Sequence, residues 1–578
     1  MKKIVENRYK IILMIWAMAM VSSCSNVLDV GPRGALNEDQ VSNPEQAEGF
    51  VIAAYSQLGN DEMNRSFSMY QYGNVRADDA YKGGGGINDG DVFHFMETFT
   101  TSRPDQWNYD VMWYNIYVGI RRCNEGLRIL DKFTEDEYPL VAVRKGELRF
   151  LRGYWYLMLE NLFKNIPYID EHVAVDDYKL VLNNEFTRDE ILEKIAADFE
   201  YAVEVLPATQ PQVGRANRIA AYAFLAKTRL FQAYEQSASH AVSNINPTRL
   251  EQVVAAADQV VASGYSLQPD FANNFLPGSY ENGMEALISV QYSANDGVTS
   301  SGGGDTRGRV NFGDILTVPQ GIGCCDFQKP SQTLVNAFRT NANGIPLLDN
   351  YNQQNVDFAI HTVDPRIDHT VSRPGAPWKY EPNRVVTTSW SRATAIYGTY
   401  NSMKENVSPD CDCFINIAPF FGNTKARIMM RYANVLLFKA EALIELGRQD
   451  EALPLINEVR SRAAASTERL VQANGQPTSN YAIDQYVPGE NIVWNQENAR
   501  KAMRFERRLE LALEGERFFD LMRWGIADQT LNAFFNAERG TRSIYQGANF
   551  TKGRDEFLPI PQNQIFWSEN RYVQNPGY

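Results

Sequence analysis

Apolar and polar positions alternate along this chain mostly with the period of a helix. In "TRDEILEKIAADFEYAVEVLP", Thr187 and Glu190 stand at capping-box spacing, and Ile191, Ile195, Phe199, Ala202 and Leu206 then share one face before Pro207 ends the run. "NPTRLEQVVAAADQVVASG" offers Asn246 as N-cap, Pro247 as the first helical residue and Gly264 as the exit. Between them, "GRANRIAAYAFLAKTRLFQAYE" is alanine-rich, as close helix packing requires. Upstream, "WYNIYVGIRRCNEGLRIL" and "VRKGELRFLRGYWYLMLENLF" predict another helical pair. Late in the chain, "RYANVLLFKAEALIELGRQDEALPLINEVRSRA" has the form of a tetratricopeptide hairpin. Ala440 and Ala442 precede a turn at Gly447, and Ala452 and Leu455 follow on the return helix. No clean period of about 34 residues runs through the chain, so the repeats are degenerate and interrupted. Such pairs stack because neither helix buries its apolar face alone.

Two stretches depart from the helical period. Residues 62–110 carry Gly83 to Gly86 and many aromatics, and predict a long loop. Residues 265–425 are rich in Gly, Pro, Asn and aromatics, and predict irregular structure with short strands such as Ala286–Tyr292. Long loops of this kind are functional or disordered, and their aromatic content favours function. The predicted fold is mainly α: stacked, tetratricopeptide-like helix pairs with a loop-rich subdomain carrying short strands.

The N-terminus places the protein. Lys2, Lys3, Arg8 and Lys10 lead an eleven-residue apolar stretch, Ile11 to Val21. That is too short for a membrane-spanning helix, which takes roughly 20 residues, and it fits the core of a secretory signal. Val21-Ser22-Ser23-Cys24 resembles a bacterial lipobox, in which the cysteine is acylated and becomes the new N-terminus. Residues 1–23 are then a signal peptide and Cys24 the lipidation site, with each buried methylene of the anchor worth about 0.8 kcal/mol. Removing residues 1–23 takes away four basic side chains and Glu6, so 56 basic and 70 acidic residues become 52 and 69, and the formal charge moves from −14 to −17. That balance argues against nucleic acid as a partner.

Of the other cysteines, the Cys324–Cys325 and Cys411–Cys413 pairs lack the two-residue gap of zinc knuckles, and an exported chain sees an oxidising compartment. A disulfide between the two pairs, or free thiols in packed loops, is preferred to a four-thiolate metal site, and Cys123 is expected in the core. Asp78, Asp79, Asp89 and Asp91 do not fit EF-hand spacing, and a solvated acidic loop is the preferred account. No metal or cofactor is expected. The five histidines are scattered, and no metalloprotease, phosphate-loop or nucleophile-elbow motif occurs. A paired-carboxylate glycosidase is the enzymatic alternative, but 70 acidic residues make any chosen pair uninformative. In "RFERRLELALEGERFFDLMRWG", Glu510, Glu514, Arg517, Asp520 and Arg523 recur at three- and four-residue intervals, which predicts an ion-pair network in the core.

Taken in order, these segments resemble the SusD/RagB family of nutrient-uptake lipoproteins from Bacteroidetes. "CSNVLDVGPRGAL" resembles the family opening, "GELRFLRGYWYLMLENLFKNIPYID" its Arg-Phe-Leu-Arg helix, and "GRANRIAAYAFLAKTRLF" its second helix pair. "CCDFQKPSQTLVNAF", "DPRIDHTV", "RYANVLLFKAEALIELG" and "FFDLMRWG" follow, and the ending "FLPIPQNQIFWSENRYVQNPGY" is the most specific part. Asp29 is the acid near Cys24, where surface-exported members favour an acidic cluster.

The resemblance implies a bundle of four tetratricopeptide-like helix pairs, with a helical N-terminal region at 24–264 and a binding loop at about 62–110. It implies a C-terminal region at 265–578 with a variable insert at about 265–425 and a terminal helical part. It further implies a non-catalytic lipoprotein of the outer membrane, facing the cell exterior. Such a protein captures oligosaccharide, or peptide in some branches, and delivers it to a SusC-like TonB-dependent transporter as its lid. The helical repeats would face the barrel, and loops from both halves of the chain would hold the ligand. Sugar recognition needs flat aromatic faces with polar groups around them. The loop aromatics Tyr81, Trp107, Tyr292, Trp378, Tyr380 and Trp390 are therefore the candidate ligand contacts, with Asn282 and Arg373 as polar partners.

Overall fold

The helices start where the caps are. In the computed structural model, which describes residues 38–59, 69–294, 310–311, 314–417 and 420–578, the capping box of Thr187 and Glu190 is formed in full. Asn217 and Asn246 cap the next two helices through their side-chain oxygens. The main helices are α1 (Pro44–Ser56), α2 (Trp107–Leu130), α3 (Val141–Phe163), α4 (Arg188–Val205), α5 (Arg218–Ala233), α6 (Pro247–Val261), α7 (Tyr432–Glu445), α8 (Gln449–Ala465) and α9 (Gln496–Glu510). Cys24 and the leader lie outside the described residues. Among the described residues, no helix is long and apolar enough to cross a membrane.

From α2 to α7 each helix packs on the next, and α7 in turn packs on α8 and α9. The result is a tetratricopeptide-like array of four pairs, with α1 laid against α2 and α3. Small residues set the spacing. A Cβ on Gly119 of α2 would sit 2.5 Å from the Trp155 indole nitrogen of α3, so glycine lets the two backbones approach. Ala220, Ala221, Ala223 and Ala226 are buried along α5. Cys123 is a buried free thiol on α2, as expected.

The neighbours α6 and α7 are separated in sequence by residues 262–431, so the loop-rich region is an insertion into the array. Its ends are clamped together: β2 (Ala286–Val290) runs antiparallel to β4 (Arg427–Arg431). A second pairing joins the two halves of the chain, with β1 (Ala80–Gly83) antiparallel to β3 (Phe327–Pro330), Tyr81 opposite Lys329 and Gly83 opposite Phe327.

Expectations for the loops and the cysteines are corrected. The stretch 62–110 is predicted as one long loop, but its described residues, 69–110, hold a π-helical turn, Tyr70–Val75, then β1, a helix at Asp91–Thr98 and the start of α2. These elements lean on chain-distant partners, which a local period does not register. Gly73, for instance, lies so close to the Gly515 carbonyl that a Cβ would collide with it. The cysteine pairs close within themselves, as Cys324–Cys325 and Cys411–Cys413, instead of to each other. Each thiol takes its chain neighbour, which removes the four-thiolate site as well. The segment 505–524 forms two helices, broken between Glu510 and Arg517 where Leu513 and Gly515 adopt positive φ.

The ion-pair network predicted there is present, but most of its partners come from elsewhere. Glu510 meets Arg431 at 2.8 Å, Arg366 at 3.0 Å and also Arg462. Glu506 meets Arg366 and Arg460, and Glu285 meets Arg431 and Arg462 at 2.6 Å each. All of these side chains are buried. Burial alone would raise the Glu510 carboxyl, but Arg462, Arg431 and Arg366 override it and hold it well below the usual carboxylate range. Asp78 and Asp79, which the sequence placed in a solvated acidic loop, are buried against Arg508 and Arg517 instead.

Candidate functional site

The β1–β3 pairing brings loops from both halves of the chain to one surface. After β1, Gly83 and Gly84 turn with positive φ, and a Cβ on Gly83 would collide with the Asp326 carbonyl. The buried Lys82 ammonium shapes the turn that follows, donating to the carbonyls of Gly86 at 2.7 Å and Asp89 at 2.5 Å. Burial pushes this ammonium down to about 8, against the pull of Glu97 and Asp89. Gly85 N–H donates to Asp89 Oδ2 at 2.7 Å, which aims that carboxylate.

From the insert, Arg392 reaches the same carboxylate, with Nη1 3.2 Å from Asp89 Oδ2. The same nitrogen donates to the Cys325 carbonyl at 3.1 Å, and the Arg392 backbone N–H donates to Asp326 Oδ2 at 2.6 Å. Asp326 also holds Lys329 Nζ at 2.7 Å. Burial lifts its carboxyl to about 6 despite that lysine. The Arg392 and Asp89 side chains remain 31% and 39% exposed, so the pair stands at the surface on a buried base.

Aromatic rings cover the segment that leads into Cys325, whose carbonyl accepts from Arg392. The half-buried Trp390 indole covers Gly321, where any Cβ would collide with it, and lies 5.5 Å from Trp378 beneath. The Trp390 carbonyl accepts from Gln320 N–H at 2.9 Å. Two residues along, Phe421 covers Gly323 and stacks on Phe414 at 5.2 Å. The Cys324–Cys325 disulfide follows directly. Flat rings beside an exposed guanidinium–carboxylate pair can stack on the C–H face of a sugar ring and bond its hydroxyls. Among the described residues, no nucleophile–base pair is formed at this surface.

The sequence-derived candidates scatter. Trp390 belongs to the junction. Trp378 supports it from below and is fully buried, so it presents no face to a ligand. Tyr81 is likewise buried, because its strand is covered on both sides. Its hydroxyl donates to Glu538 at 3.0 Å and accepts from Gln332 N–H at 3.0 Å. Tyr380 bonds His369 Nδ1 at 2.8 Å in the interior. Arg373 lies 3.9 Å over the Phe358 ring and donates to Ser479 Oγ at 2.7 Å. Asn282 is exposed but exchanges amide bonds with Gln291, away from the junction. Tyr292 lines a separate recess of about 100 Å³ with Met69, Arg427 and Phe519. Trp107 is 46% exposed at the start of α2. Missed from the sequence were Arg392, the pairing role of Asp89, and the Phe414–Phe421 stack. The closely spaced apolar runs "FINI" and "FFGN", which pair as the strands Phe414–Ile417 and Phe420–Asn423, were the signal available.

The "SusD family" model matches residues 284–578, more than half of the chain. The chain belongs to the SusD family. A second model, "Starch-binding associating with outer membrane", matches residues 28–230. Among curated relatives, SusD-like protein P2 of Formosa agariphila is 25% identical over 485 residues, covering 83% of this chain and 82% of that protein. Among solved structures, a SusD homolog from Bacteroides thetaiotaomicron VPI-5482 superposes with a TM-score of 0.69 at 23% identity, over 94% of this chain and 98% of that one. Surface glycan-binding protein A from Bacteroides thetaiotaomicron, in complex with laminarihexaose, superposes with a TM-score of 0.64 at 20% identity, over 92% and 100%. These SusD-like structures share the helical fold of this chain.

Proposed function

We propose that this SusD-family protein captures oligosaccharide at the loop junction, without altering it, and delivers it to a SusC-like TonB-dependent transporter of the outer membrane. The protein would sit over that barrel as a lid, held by a lipid on Cys24 and facing the cell exterior. The observation that carries the binding reading is the meeting of Trp390 and the exposed Arg392–Asp89 pair, drawn from both halves of the chain by one strand pairing. The similarity to a glycan-binding protein solved with laminarihexaose supports the ligand class, and the family description supports the membrane.

Native gels containing laminarin or another neutral polysaccharide test this. The mature protein is expected to be retarded and to leave the glycan at its original length. Trp390→Ala should weaken retention about tenfold, the loss of a ring contact worth about 1.4 kcal/mol. Retention by peptide alone, or release of shorter sugars, would overturn the proposal.

A further inference from the structure

A second concave surface lies on the helical side, apart from the loop junction. It is a cleft of about 400 Å³ between α2 and the short helix Gln562–Trp567. That volume falls within the roughly 300–1,000 Å³ typical of small-ligand sites, whereas protein partners meet over broad faces of about 800 Å² a side.

Its walls are aromatic. Tyr114 is 62% exposed and Trp567 is 50% exposed, an unusual display for large rings in a soluble fold. Between them the rings continue inward as a ladder, with Trp567 6.4 Å from Tyr572, Tyr572 6.2 Å from Trp113, and Trp113 5.2 Å from Tyr117. The buried rungs support Trp567, while Tyr114 is carried by the backbone of α2 beside Trp113.

Its polar groups are held in place. Asp110 in the first turn of α2 accepts from Asn563 Nδ2 at 2.9 Å and from Gln564 Nε2 at 2.7 Å. One carboxylate therefore anchors both amide nitrogens, and the amide oxygens Oδ1 and Oε1 remain as acceptors. Arg121, on the lining, is paired with Glu125 at 2.7 Å. Its charge is matched, which favours an uncharged ligand. Trp107, Tyr114 and Arg121 follow at seven-residue intervals on α2, so they share one helix face at steps of about 10.5 Å. The exposed Trp107 extends the aromatic track beyond the cleft.

We infer that this cleft is a second saccharide-binding site, taking a neutral oligosaccharide between Tyr114 and Trp567 with its hydroxyls on Asn563 and Gln564. It goes beyond the capture site proposed above and involves none of its residues. Two separated sites on one tethered protein raise avidity for a long glycan without any new contact within either.

Retardation in native gels containing laminarin, starch or a mixed-linkage glucan separates the two sites. In a Trp390→Ala, Arg392→Ala protein, residual retention by at least one of these glycans is expected. Adding Tyr114→Ala and Trp567→Ala should reduce it at least fivefold, with circular dichroism unchanged. Residual retention indifferent to the cleft substitutions, or no residual retention, overturns the second site. If the cleft variant loses co-purification with a transporter barrel while glycan retention stays whole, the cleft is a protein interface and the inference fails. If the junction variant alone behaves as the intact protein and the cleft variant does not, the junction reading fails and the cleft stands.

Discussion

The helical array and its insert are stabilised in different ways. Along α2 to α6 the buried side chains are mostly Leu, Ile, Val, Ala and aromatic, with charged knots where Arg152 meets Asp198 and Glu171, Glu147 meets Arg144 and Arg215, and Arg229 meets Glu193 and Glu200. At the root of the insert, buried charges do much of the holding: Arg366, Arg431, Arg460 and Arg462 against Glu285, Glu506 and Glu510. Farther out, Lys425 pairs with Glu405 and Asp314 with Arg427. Apolar packing is tolerant, since any side chain of suitable size fills the space. A buried charge is directional and needs its partner, so it fixes how the insert sits on the array. The array supplies bulk stability and the charged root supplies orientation.

Removing one partner is the strongest way to break this contrast. Glu510→Ala leaves Arg366, Arg431 and Arg462 without a shared carboxylate, and should cost about 3–5 kcal/mol in denaturant unfolding. Acid should act next. Burial alone would raise the Asp78 carboxyl, but Arg508 and Arg517 hold it at about 2. Burial is likewise overridden at Glu405, where Lys425 and Arg427 hold the carboxyl at about 2. Both folded values lie below the unfolded ones, so these groups stabilise fully above about pH 5 and lose that contribution as pH falls toward 2. Hydrogen exchange should then show the insert opening before α3 to α5. The smallest effect belongs to the array's edge: Thr187→Ala removes a solvent-exposed cap and should cost about 1 kcal/mol, leaving glycan retention unchanged.

The same contrast explains what the sequence disclosed. Helices α4 to α8 were legible because caps and apolar faces are local, as at Thr187, Asn246 and Gly447. The pairing of Tyr81 with Lys329 joins segments some 250 residues apart, and no local pattern carries such a partner. Tyr81 therefore passed for an exposed loop aromatic when its ring is core. Trp390, chosen for its loop context, lies at the junction, but Trp378 twelve residues earlier has the same context and lies beneath it. Arg392 was invisible because its role depends on Asp89, Asp326 and Cys325 meeting in space. The network around Glu510 was predicted from its spacing, yet its arginines come from β4, α8 and the insert.

The clamp of β2 on β4 has a consequence for how this protein can change. The chain leaves that clamp at Val290 and returns at Arg427 one strand spacing away, about 4.8 Å. Everything between is topologically a closed ring hung from two adjacent strands. Lengthening such a ring costs only about 0.6 kcal/mol per doubling, and it moves neither α6 nor α7. The loop-rich insert can therefore be exchanged or redrawn like the head of a tool, while the handle keeps its grip.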